Sequence, residues 1–173
     1  THPRGRAGTP IGDRTDVTES NGTRVVKWYN KAGKQTGTLD PPKSAGKSHL
    51  PSYVAINPKT QDVYVSDRLN AVIYIYDSQN KYLRTFAPKG DLGGTWSPLG
   101  LAFAPDGTLY VTEVRSKDAK NHRVEVFSPD GTPERSMGTG QLSCPNGSAA
   151  EMQRSLRLPC SQNRAAVRAG PCG

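Results

Sequence analysis

Pro98-Leu-Gly-Leu-Ala-Phe-Ala-Pro-Asp-Gly-Thr-Leu-Tyr-Val-Thr-Glu113 joins two apolar runs through Pro105-Asp-Gly107. Pro fixes φ at the turn's start and Gly supplies the positive φ that closes it, so the stretch predicts a β-hairpin. Outward from it lies Asn121-His-Arg-Val-Glu-Val-Phe127, whose Val124 and Val126 alternate with polar neighbours as in a half-buried strand. Ser128-Pro-Asp-Gly131 then repeats the turn chemistry, and a weakly marked fourth strand falls near 134–137. The predicted strands are 100–103, 108–112, 123–127 and 134–137.

The same order recurs upstream. Pro51-Ser-Tyr-Val-Ala-Ile-Asn-Pro58 matches 98–105 at Pro, Ala and Pro, Val63-Tyr-Val-Ser-Asp67 matches 109–113, and Asn70-Ala-Val-Ile-Tyr-Ile-Tyr76 matches 121–127. Pro51 and Pro98 are 47 residues apart, and Pro145 lies another 47 on. Further back, Val17-Thr-Glu-Ser-Asn21 and Val25-Val-Lys-Trp-Tyr29 fit the second and third strands of an earlier copy. A four-stranded antiparallel unit of this length is the size of a β-propeller blade. Helical solenoids have other periods, and no helix of more than two turns is predicted.

These residues resemble the NHL repeat of β-propellers. Its pattern is Pro-x-Gly-apolar-Ala-apolar, a Gly turn, apolar-Tyr-Val-small-acid, then Asn-x-Arg-apolar-x-apolar-Phe. The match runs over 17–147 and departs at Ser52-Tyr53, where Gly is usual, and at Ala71-Val72, where the Asn-x-Arg pair is broken. The resemblance implies an all-β propeller with three to four blades in this chain, part of a ring of six. The units fall near 3–50, 51–97 and 98–144, with 148–173 a degenerate fourth unit or a poorly packed tail.

Both ends depart from the repeat. Pro3, Gly5 and Ala7 keep register with Pro98, Gly100 and Ala102, yet Arg6, Gly8 and Asp16 stand where apolar residues belong. In the tail, Ser148, Glu151, Arg157 and Cys160 fall on strand positions. Atypical caps and decayed or frame-shifted ends are the two explanations, and the second is preferred because a cap keeps one apolar face. The chain does not begin with Met, and at 47 residues a blade its length points to part of a longer propeller, or to self-association that covers open blade edges.

Composition fits this reading. The 173 residues are 34% hydrophobic with 18 Gly and 14 Pro, which disfavours a helical bundle. No run reaches the roughly 18 apolar residues of a membrane span. The formal charge is +8, but residues 1–16 carry +1 of it and 139–173 carry +3. That leaves little on the well-formed units to argue for nucleic acid.

Chemistry is less marked. Cys144, Cys160 and Cys172 all lie in the tail; a Cys144–Cys160 bridge is open, and the spacing is poor for zinc. The three His are far apart in sequence, and His122 is expected to face solvent between Asn121 and Arg123. The peptide-amidating lyases and gluconolactonase-like enzymes share such propellers, but nothing here maps convincingly onto the metal-binding His of the former. Leu99 stands where the latter place an Asn, and only Asn146 fits. Glu19, Asp67 and Glu113 each end a second strand and are expected to tie the blade internally, as in a Glu113–Arg123 pair. Asn21-Gly-Thr and Asn146-Gly-Ser fit the glycosylation sequon but read as turns.

What remains is recognition by loops. Those joining the fourth strand to the next unit, and the second strand to the third, span about 40–50, 67–70, 87–98 and 114–122, with a net charge of +2 when Glu113 at the head of the last is included. Arg68, Lys89, Trp96, Arg115, Lys117 and Lys120 are the candidate ligand-binding residues, with Trp96 as an aromatic anchor and 114–120 as the main binding loop. The favoured function is a noncatalytic module binding protein, peptide or glycan, with RNA as a variant, no cofactor and no metal. The alternative is a metal-dependent propeller enzyme of the lyase or lactonase type. An extracytoplasmic or secreted setting is favoured, with the compartment unassigned.

Overall fold

The computed structural model describes residues 6–8 (backbone only), 14–19, 22–45, 48–86, 88, 96–114, 122–139 and 141–142. The tail from 143, with its cysteines and Asn146, lies outside the described residues, as do Asn21, Lys89 and residues 115–121.

Twelve strands follow in order: β1 Arg6–Gly8, β2 Thr15–Thr18, β3 Val26–Tyr29, β4 Gln35–Leu39, β5 Pro51–Ile56, β6 Val63–Asp67, β7 Val72–Tyr76, β8 Tyr82–Phe86, β9 Pro98–Phe103, β10 Leu109–Glu113, β11 Arg123–Phe127 and β12 Pro133–Met137. They form three four-stranded antiparallel meanders, β1–β4, β5–β8 and β9–β12. We call these blades 1, 2 and 3. The first strands lie side by side, β1 against β5 and β5 against β9, so the sheets are arrayed around their inner edges.

Turn chemistry repeats with the sheets. In the third-to-fourth-strand turns Asn30, Asp77 and Ser128 each donate N–H to the carbonyl four residues on, and the left-handed position falls on Gly33, Asn80 and Gly131. Gly or Asn is the residue that tolerates that position at least cost. The Pro105-Asp-Gly107 turn closes as the sequence predicts, Ala104 N–H donating to Thr108 O at 2.9 Å with Gly107 at φ 91°.

One expectation is corrected. The alternation of Ile73 and Ile75 predicts a strand buried on one face, but all of Ile73–Tyr76 is buried. Ile73 and Ile75 pack toward blade 3 with Leu101, Val111 and Phe127, while Tyr74 and Tyr76 pack toward blade 1 with Val26 and Leu39. A blade held between two others has two apolar faces, so its period of two alternates aliphatic with tyrosine. Blade 1 holds buried Asp16 at the register position of Tyr64 and Tyr110, and Arg14 meets its carboxylate at 2.7 Å. Burial raises the Asp16 pKa above its ordinary value, partly offset by the Arg14 charge.

The seams between blades carry a hydroxyl clasp. Thr18, Ser66 and Thr112 occupy the same position, next to the acid that follows each second strand, and all are buried. Thr18 donates to Ser52 O at 3.0 Å and Ser66 to Leu99 O at 2.7 Å, each crossing to the first strand of the next blade. Ser66 also accepts from Tyr53 N–H at 3.1 Å, and Thr112 from Gly100 N–H at 2.7 Å. Both acceptor bonds lie at the β-bulges where the first and second strands change register, so the hydroxyl satisfies a ladder group the bulge frees. Ser66→Ala removes the hydroxyl that Tyr53 N–H and Leu99 C=O both use, and the expected loss is about 1–3 kcal/mol in urea denaturation. Ser66→Thr, the residue of the other two blades, should cost less than about 1 kcal/mol. Equal stability of Ser66→Ala and the parent would overturn the clasp.

Candidate functional site

The loops at the end of the sheets where second strands pass to third are built around the acids that end those strands. In blade 2, Asp67 Oδ1 accepts from the N–H groups of Leu50 (3.1 Å), Leu69 (2.9 Å) and Asn70 (3.0 Å), and Oδ2 accepts from Asn70 Nδ2 at 3.0 Å. Arg68 N–H returns a bond to Leu50 O at 3.2 Å, and Asn70 Nδ2 also reaches Ser48 O. One carboxylate thus ties the loop leading into β5 to the loop leaving β6. Asp is short, and its fit to local N–H groups is the reason it recurs in such turns.

Blade 3 repeats the device with a longer acid. Glu113 Oε1 accepts from Ser97 N–H at 3.1 Å, and Val114 N–H donates to Ser97 O. The extra methylene lets Oε2 accept from Arg123 Nε at 2.8 Å, the internal tie the sequence predicts. Arg123 Nε also contacts Glu125 Oε1, and Ser136 donates to Glu125 Oε2 at 2.7 Å. All three charged residues are buried on the side of the sheet that faces blade 2. In blade 1, Glu19 pairs with Lys27 Nζ at 2.9 Å and accepts from Thr23, and these bonds lower its pKa, the Thr23 bond most. The three acids are therefore occupied in holding loops and strands.

The candidate ligand residues separate on this frame. Arg68 lies half-buried on the Asp67 loop. Next to it Leu69 is 54% exposed, the larger of two such apolar exposures among the described residues; the other, Leu83, is on the outer strand β8. Leu69 escaped the sequence reading, although a lone Leu between Arg68 and Asn70 in a turn is a visible signal. Trp96 is partly buried and packs edge-on against Phe127, ring centroids 5.8 Å apart, so much of the indole fills the seam between blades 2 and 3. Lys89, Arg115, Lys117 and Lys120 lie outside the described residues. His122 corrects an expectation: it is 3% exposed, because it enters the buried end of β11 beside Arg123. Among the described residues no three of His, Cys, Asp and Glu gather closely enough to hold a metal ion, and no helix is long and apolar enough to cross a membrane.

No family model matches the chain, and neither does any curated protein. Solved structures do. A chain of the nidogen/laminin complex superposes with a TM-score of 0.66 at 20% identity, over 84% of this chain and 51% of that one. A chain of Kuenenia stuttgartiensis hydrazine synthase gives 0.58 at 20% identity over 78% and 35%, and the WD40 repeats of RRP9 give 0.55 at 18% identity over 78% and 38%. This chain spans about half the length of the first of these and little more than a third of the others. At such identities the likeness concerns the fold, and together with the three meanders it makes this an all-β chain of β-propeller blades.

Proposed function

We propose that the chain is a noncatalytic, NHL-type β-propeller module that binds a protein or peptide through the loops joining second to third strands and those leading into each first strand. The observation that carries this reading is the pairing of Leu69, 54% exposed, with Arg68 on a turn that the Asp67 network holds in one shape. An ordered loop presenting an apolar side chain beside a cation loses little entropy on binding, which favours its use as a contact. Asp67 and Glu113 are engaged with backbone N–H groups, and Glu113 also with Arg123. The likeness to a chain of a nidogen/laminin complex is consistent with protein recognition. Arg115, Lys117, Lys120, Lys89 and Trp96 are proposed to extend the same surface.

The test is selection of a random peptide library on the immobilised chain. Binders are expected to lose about tenfold or more in affinity, some 1.4 kcal/mol, on Leu69→Asp with Arg68→Glu, and to keep it on Leu83→Asp. Binders indifferent to the first variant would overturn the surface. Poly-uridine is expected to bind no better than background; tight binding that falls steeply with salt would replace the protein reading by RNA.

A further inference from the structure

The loops that pass from second to third strands, and those that lead into first strands, expose more positive charge than their sequence suggests. Asp67 and Glu113 are 1% and 0% exposed, so neither carboxylate can touch a partner's side chain. Both are spent inside the fold, Asp67 on four N–H donors and Glu113 on Ser97 and Arg123. In blade 1 Glu19 is taken up by Lys27 at 2.9 Å. Among the described residues of these loops, Arg24, Lys43 and the half-buried Arg68 then face solvent against Asp40 alone. None of these four side chains is engaged in an ion pair there.

The three cations belong to one place on the surface. Arg24, Pro41 and Asp67 line a single crevice between blades 1 and 2. Lys43 begins the short helical turn just after Pro41, and Arg68 and Leu69 follow Asp67 directly. The crevice is too narrow to admit a side chain, so a partner lies across its mouth, where Leu69 stands 54% exposed.

We infer that the docked partner is an acidic protein segment carrying a large apolar residue, which rests on Leu69 while neighbouring carboxylates meet Arg24, Lys43 and Arg68. The inference rests on the binding reading above and names the chemistry of its partner. Guanidinium and ammonium groups are donors only, and their bonds to a carboxylate are charge-assisted. Asp40 opposes an anion, and three cations to one acid still leave the balance positive. At physiological salt charges beyond about 8 Å are largely screened, so the exposed groups at the contact decide the preference. RNA, the other polyanion, fits less well. Single strands bind by stacking bases on aromatic rings, and no aromatic side chain is exposed among the described residues.

The probe is a short synthetic peptide of repeated Glu-Glu-Leu, titrated calorimetrically into the full chain beside Gln-Gln-Leu and Glu-Glu-Ser versions of equal length. The first is expected to bind with a Kd on the order of 100 μM, as suits an exposed and shallow surface. The other two should each bind about tenfold more weakly, one lacking the charges and one the apolar contact. Reversing Arg24→Glu together with Lys43→Glu should also cost about tenfold, with an unchanged melting temperature showing that the variant folds. No binding of the Glu-Glu-Leu peptide at millimolar concentration, equal binding of the Gln-Gln-Leu peptide, or indifference to the reversal overturns the acidic partner. Library binders that need Leu69 but ignore the reversal would leave the recognition surface standing and overturn its preference for acids. Binding of the acidic peptide that ignores Leu69→Asp would overturn both, and poly-uridine that displaces the peptide would put RNA in its place.

Discussion

Replacing Arg123 with Ala is expected to remove about 3–5 kcal/mol of stability, a large share of the roughly 5–15 kcal/mol that holds an ordinary domain folded. The guanidinium lies between Glu113 and Glu125, itself 7% exposed against 0% and 1% for the two acids. Without it two carboxylates in a desolvated seam lose the guanidinium that lies between them, and that penalty, more than the lost attraction, sets the size of the effect. Glu113 still accepts from Ser97 N–H and Glu125 from Ser136 Oγ. Those bonds cannot neutralise a charge. Arg123→Lys keeps the charge but loses the planar fork, and an intermediate loss is expected.

The mechanism is separable from simple loss of packing. Adding Glu125→Gln to Arg123→Ala removes one stranded charge, so the double variant should be more stable than the single by about 1 kcal/mol or more. Urea denaturation with a common slope reads both values. A single-variant loss below about 1 kcal/mol, or a double variant less stable than the single, would contradict the buried triad. The same experiment bears on recognition, because Glu113 also anchors Ser97 at the head of β9.

That triad shows which contacts a sequence makes legible. Glu113 and Arg123 are cross-strand partners ten residues apart in one hairpin, and the small-acid and Asn-x-Arg motifs mark both. The turns from third to fourth strand are equally plain, since their left-handed position falls on Gly33, Asn80 and Gly131, whereas Arg24, Gln61 and Ala71 are left-handed with no such mark in the sequence. Contacts between blades are another matter. Ser66 meets Leu99 O at 33 residues' separation and Thr18 meets Ser52 O at 34. Locally each is only a small polar residue before an acid, and nothing in a strand's own pattern says that its hydroxyl crosses a seam. The two-sided burial of Ile73–Tyr76 is hidden for the same reason, because Tyr reads as a tolerable surface residue until a neighbouring blade covers it.

The candidate site is legible in the same proportion. Arg68 is found on an ordered loop, whereas Leu69 shows its significance only when its exposure is known. His122 is the instructive miss. A variable position between two motif residues reads as a surface position, but in blade 3 it leads directly into the buried pair at the start of β11. Position within a motif therefore predicts backbone geometry better than it predicts exposure.

Phe127→Ala is expected to cost about 3–5 kcal/mol, for reasons of shape instead of charge. The ring is fully buried at the end of β11 and meets two others edge-on, Phe86 at 5.2 Å and Trp96 at 5.8 Å, both at 89°. Those partners come from different blades: Phe86 ends the outer strand of blade 2, and Trp96 precedes the first strand of blade 3. Removing the ring opens a cavity in the seam and takes from Phe86 and Trp96 the ring each meets edge-on. Phe127→Leu restores most of the volume but none of the ring contacts, so a smaller loss of about 1–2 kcal/mol is expected. A Leu variant as unstable as the Ala variant would assign the effect to ring geometry; an Ala loss under about 1.5 kcal/mol would show that the seam closes over the gap. Tryptophan emission gives a second readout, with Trp28→Phe as the background because the chain has two tryptophans. If Phe127 holds Trp96 in the seam, its removal shifts the remaining emission to the red under native conditions. Trp96, a residue of the proposed recognition surface, then lacks its ring partner in the seam, so a packing residue remote from any ligand bears on that surface.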